Sequence, residues 1–97
     1  MIHATFDRRK MELRVEGHAD YAPRGQDIVC AAVSILYGTL CAAVEREEML
    51  HGAKAEITED TVRCRDGERV KMIFETVWQG LRLLERSYGA YLCCREK

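Results

Sequence analysis

The chain has a single proline and no surplus of either charge: 15 basic side chains stand against 16 acidic ones, for a net charge of −1. That balance gives no electrostatic grip on duplex nucleic acid or on an anionic membrane face, so neither is expected as a partner. Long hydrophobic runs are also missing, since no charge-free stretch reaches the length of a membrane span. The chain opens on Met1-Ile2-His3 without a charged-then-apolar leader, and a cytoplasmic protein is expected. There are no repeats, linkers or low-complexity segments, and 97 residues are enough for one domain around one core.

Cysteine is plentiful but unpatterned. Cys30, Cys41, Cys64, Cys93 and Cys94 form no Cys-x-x-Cys pair, and no His-x-x-x-His accompanies them. The odd number argues against a disulfide framework, and the spacing argues against a metal site. Cys93 and Cys94 are adjacent, so on a strand they point to opposite faces. Cys41, among alanines, and Cys64, on a strand, suit small buried positions. Only Cys30 has a local setting that suggests reactivity.

Ile2, Ala4 and Phe6 alternate with polar residues, as do Met11, Leu13 and Val15, so each set predicts a half-buried strand. Asp7-Arg8-Arg9-Lys10 fits the hairpin turn between them, with its basic side chains in solvent. A helix is expected from residue 28 to about 50, with Asp27 as its N-cap accepting the backbone N–H of Cys30. Residues 28–33 are apolar almost all round and predict a buried start; Glu45-Arg46-Glu47-Glu48 predicts a solvated end. Ala53, Ala55 and Ile57 suggest a third strand. Residues 61–65 suggest a fourth, with Val62 and Cys64 inward, and Asp66-Gly67 breaks the chain after it. Val70, Ile73, Phe74, Val77, Leu81 and Leu84 form one stripe of a second helix over 68–87, which Gly89 stops before a last strand over 90–94. The sum is one α+β domain over residues 1–97. Its order is β-β-α-β-β-α-β, with both helices covering a small, mainly antiparallel sheet.

Between the second strand and the first helix runs Gly17-His18-Ala19-Asp20-Tyr21-Ala22-Pro23-Arg24-Gly25-Gln26-Asp27-Ile28-Val29-Cys30. It places a base candidate, His18, and a nucleophile candidate, Cys30, at the two ends of a turn-rich loop. Cys30 falls near the third helical position, where unpaired backbone N–H groups and the helix dipole favour negative charge. The same N–H groups suit the oxyanion formed when a thiolate attacks a peptide carbonyl. Asp27 is itself an anion, so it caps the helix, orients His18, or does both. Ser34 lies one turn after Cys30 on the same face, as a residue bonding back to the helix or as a support for the thiol. Tyr21 and Arg24 project from the loop as candidates for contact with a bound peptide. His3 and His51 read as ordinary surface residues. Spacing alone leaves Cys30 open as either a core thiol or a nucleophile.

Gly17-His18-Ala19, Tyr21-Ala22, Gly25 and Asp27-Ile28-Val29-Cys30-Ala31-Ala32-Val33-Ser34 resemble the signature of the Prp family of bacterial ribosomal-processing cysteine proteases. Length and element order extend the resemblance along the whole chain. It implies a cysteine endopeptidase that removes the N-terminal extension of large-subunit ribosomal protein twenty-seven, cutting after a pair of aromatic residues. Carried onto this chain, Cys30 is the nucleophile and His18 the general base. Asp27 and Ser34 support them, and Gly17, Tyr21, Arg24 and Gly25 belong to the substrate loop. The resemblance further implies a homodimer and neither metal nor organic cofactor. On this reading the free enzyme holds His18 and Cys30 apart until the loop closes over substrate. Two rival readings are a ribosome-assembly or peptide-binding module without catalysis, and a thiol redox sensor with Cys93 or Cys94 as resolving partner.

Overall fold

The computed structural model describes residues 1–65 and 67–97; the chain break expected at Asp66-Gly67 lies partly outside them, at Asp66. Seven elements follow in the expected order: β1 (Ile2–Asp7), β2 (Glu12–Gly17), α1 (Ile28–His51), β3 (Ala55–Ile57), β4 (Thr61–Cys64), α2 (Glu68–Tyr88) and β5 (Leu92–Glu96). The β1–β2 turn is set by Asp7, whose carboxylate accepts the N–H groups of Arg9 and Lys10 at 3.0 and 3.2 Å. The strands form one sheet in the order β3-β4-β2-β1-β5. Every pairing is antiparallel except β1–β5, which is parallel because α2 carries the chain back across the sheet.

Strand alternation decides which face is covered. Ile2, Ala4, Phe6, Leu13, Val62, Cys64 and Leu92 are buried on one face, under both helices. Phe6 packs its ring against Phe74 and Trp78 of α2, with centroids 6.1 and 5.5 Å away. From α2 come Val70, Phe74, Val77, Trp78 and Leu81; Trp78 widens the expected stripe. Helix contact is close at Gly80, where an added Cβ would sit 2.9 Å from the Leu36 side chain. The last strand starts two residues later than the apolar run suggests, at Leu92.

Three expectations for α1 are corrected. Its start is not buried all round: Val29 and Val33 are buried, whereas Ile28 is 52% and Ile35 67% exposed. A two-layer fold offers a helix one sheet to pack on, so only one stripe finds cover. Its acidic end is not wholly solvated either. Glu47 is buried and takes a two-pronged bond from Arg69 of α2 at 2.7 and 3.1 Å, which offsets the cost of its burial. Finally, α1 is long and apolar enough in composition to cross a membrane, because residues 28–44 carry no charge. In this fold Val29, Val33, Leu40 and Val44 are buried in the core.

Candidate active site

Gly17 ends β2 at φ +93°, and the site begins there. A Cβ at this position would lie 2.4 Å from the Met1 carbonyl oxygen, so the backbone can pass only as glycine. His18 is then exposed and Ala19 is buried. Because Ala19 is anchored in the core, its backbone N–H points at Cys30 Sγ, 3.4 Å away.

The other end of the loop is organised by Asp27. One carboxylate oxygen accepts the N–H groups of Val29 and Cys30 at 3.0 and 2.9 Å, capping α1 as the sequence suggests. The second oxygen accepts the N–H of Tyr21 at 3.0 Å. Asp27 therefore ties the middle of the loop to the helix start, and it makes no hydrogen bond to His18. The Cys30 N–H is the main reason the Asp27 carboxyl is held below the usual carboxylate range, with Tyr21 adding to it.

Tyr21 does not face a cleft. Its ring meets Tyr88 and Tyr91 edge-on, with centroids 5.6 and 5.0 Å away, so the loop is clasped to the end of α2 and the approach to β5. Arg24 and Gly25 do line a cleft of about 640 Å³, together with His18, Asp20, Ala22, Asp27, Cys30, Ala31 and Ser34. A second cleft of about 640 Å³ lies on the other side, between α1, the end of β2 and the β3–β4 turn. His18, Cys30 and Ser34 line both clefts, and they form the saddle between them. No hydrogen bond joins His18 to Cys30 in this arrangement.

Sequence reasoning missed Tyr88 and Tyr91, although the pair flanking Gly89-Ala90 was visible. It also left Tyr37 out of the site, and it read Thr58-Glu59-Asp60 as the turn before the fourth strand without placing it at the cleft. Tyr37 donates its hydroxyl to the Thr58 carbonyl at 3.0 Å and fixes the far wall of the second cleft. No local signal places that turn beside Cys30; only the sheet order does. His3 and His51 are exposed, and no cluster of metal-ligating side chains occurs among the described residues.

The remaining thiols sit differently. Burial pushes the Cys94 thiol up to about 12, and the neighbouring Glu85 carboxylate adds to this. Cys41 is also raised, chiefly by burial. Cys64 is fully buried. Alternation along β5 puts Cys93 on the face turned away from the helices. A resolving partner for Cys30 is therefore hard to supply from this fold, which weighs against the redox-sensor reading.

Comparison with known proteins agrees with this geometry. Residues 1–93 match the model of the family described as Cysteine protease Prp. The Ribosomal processing cysteine protease Prp of Mycoplasma pneumoniae is 33% identical over 99 residues, spanning 95% of this chain and 91% of that protein. Several solved structures share the fold. The S. aureus ribosomal processing protease Prp, with a covalently linked product peptide, superposes with a TM-score of 0.84 over 100% of both chains at 24% identity. SMU.848 of Streptococcus mutans gives a TM-score of 0.69 at 29% identity, over 99% of this chain and 93% of that one. With a family match over nearly its whole length and a close relative in Mycoplasma, the chain belongs to the cysteine protease Prp family and is a cysteine peptidase.

Proposed function

We propose that the protein is an endopeptidase that removes the N-terminal extension of large-subunit ribosomal protein twenty-seven, with Cys30 as nucleophile and His18 as general base. The observation that carries this reading is the saddle. His18, Cys30 and Ser34 stand between two clefts, an arrangement that suits a polypeptide running through the site on both sides of the scissile bond. In the first half-reaction His18 takes the Cys30 proton and the sulfur attacks the scissile carbonyl. The oxyanion collapses as His18 passes that proton to the leaving amine, giving a thioester and freeing the C-terminal part. Water, deprotonated by His18, then attacks the thioester; its carbonyl becomes the new carboxylate, and the proton returns to Cys30. The Ala19 N–H stays beside the sulfur, and Asp27 holds the helix end that presents it.

His18 reaches Cys30 when substrate draws the loop inward, and separation of the two in the free enzyme suppresses stray proteolysis. The exposed Ile28 and Ile35 on α1 support a second copy as partner, giving a cytoplasmic homodimer. The reading is tested by mixing the protein with a peptide spanning the extension and its junction, and looking for two fragments by mass spectrometry. Cys30→Ala and His18→Ala serve as controls. Cleavage that survives Cys30→Ala overturns the proposal.

A further inference from the structure

The cleft on the far side of Cys30 has an unused strand edge as its floor. Backbone groups along β2 point alternately to its two neighbours. The Val15 N–H donates to the Asp60 carbonyl at 2.8 Å, and the Met11 carbonyl accepts the Cys64 N–H at 3.1 Å, so the odd-numbered residues of β2 face β4. Gly17 is the next odd residue. The chain has already left the lane opposite it, because the Thr58 N–H turns back to the Thr61 carbonyl at 2.8 Å and closes the β3–β4 turn. Ile2 flanks Gly17 on the other side in a pair that leaves the Gly17 N–H directed into the cleft. The lane opens at one end onto Cys30, since Ala19, two residues past Gly17, touches the sulfur. It ends at Glu59 and Asp60. Glu59 is exposed and makes no ion pair among the described residues.

We infer that an extended segment of the substrate fills this lane as an added strand, its main chain pairing with β2 at Gly17. The inference rests on the proposed endopeptidase activity and assigns the substrate's course beyond the scissile bond. Both existing neighbours of β2 are antiparallel to it, and a third segment in the β4 lane takes the same direction. Run that way, the segment C-terminal to the scissile bond lies beside Gly17, with its second residue opposite that glycine. The following residues pass over the β3–β4 turn, where the carboxylates of Glu59 and Asp60 favour basic side chains. Only a short stretch fits, because Val15 is already paired with Asp60.

The test uses two peptides identical up to the scissile bond, with lysine in one and glutamate in the other at the second and third positions after it. Each is added to ¹⁵N-labelled Cys30→Ala protein, once its amide spectrum matches that of the parent away from residue 30. The expected result is a shift of the Gly17 amide signal and at least tenfold slower hydrogen exchange there on binding the lysine peptide. In the active protein the lysine peptide is cleaved more efficiently, and Glu59→Lys lowers that preference by about threefold or more. Cleavage of both peptides with an unmoved Gly17 amide overturns the added-strand inference while leaving the endopeptidase reading intact. Absence of both binding and cleavage overturns the endopeptidase reading, and this inference with it.

Discussion

The backbone N–H of Ala19 points at the sulfur of Cys30, 3.4 Å away, although the two residues lie eleven positions apart in the chain. The contact joins the end of β2 to the start of α1 and leaves the sulfur with a fixed donor on one side. On its other side lie the helix N-terminus and the Asp27 cap. Cys30 is the one thiol of the five placed this way.

Replacing either member of the proposed pair gives different losses. Cys30→Ala abolishes peptide cleavage, whereas His18→Ala lowers kcat by about 10² to 10⁴ and leaves peptide binding close to parental. Steady-state kinetics on the extension peptide, with binding to the Cys30→Ala protein as reference, check both.

Thiol labelling is selective. With a thiol pKa of about 12, only about one Cys94 in 10⁴ is ionised at pH 8, and the thiolate is the reactive form. Cys41 is raised in the same direction, and Cys64 is fully buried. Iodoacetamide at pH 7.5 therefore labels Cys30 ahead of Cys41, Cys64 and Cys94, as read by peptide mass mapping over time. Labelling of Cys94 at the rate of Cys30 contradicts this ordering.

Tyr21 acts on the loop through Tyr88 and Tyr91. Each edge contact contributes about 1 kcal/mol, so Tyr21→Ala frees the loop and raises KM by about tenfold, with a smaller change in kcat. Tyr21→Phe keeps the ring and restores KM. If Phe does no better than Ala, the ring contacts are not what positions the loop.

Acid weakens the fold in a defined window. The Asp27 carboxyl is held low by the N–H groups it accepts, Asp60 by the Thr61 and Thr58 hydroxyls, and Glu96 by Arg8 and Trp78. A folded-state pKa below the unfolded value contributes stability at pH values above the unfolded one, about 4, and loses it as pH falls through the depressed value. The melting temperature is expected to hold from pH 8 to 5 and drop below about pH 4. Asp27→Asn removes part of that dependence. A melting temperature that rises on acidification contradicts the assignment.

The core is unforgiving beneath α2. Leu81 is fully buried, so Leu81→Ala costs about 3 kcal/mol in urea unfolding, through lost burial and the cavity it leaves. Leu83→Ala, at a position 62% exposed two residues on, changes stability by less than about 0.5 kcal/mol.

Local rules reached most of the elements because their signals are local. Period-two alternation marked β1, β2 and β4, the Asp27 cap marked the start of α1, and the stripe from Val70 to Leu84 marked α2. They failed where a neighbour decides the outcome. Glu47 is buried because Arg69, 22 residues on, comes to meet it. Ile28 and Ile35 remain in solvent because the sheet reaches only one side of α1. Tyr21 was expected over a peptide and lies against two tyrosines from the other end of the chain.

The sequence alone specified the order of elements, the capped helix start and the one cysteine set there, since each follows from side-chain chemistry within a few residues. Packing decided what that cysteine faces. Sheet order brings β4 beside β2, and β4 starts late enough to leave Gly17 uncovered; the register of non-local strands depends on contacts dozens of residues apart. No local pattern encodes a gap between two strands, and that gap gives the cleft its floor.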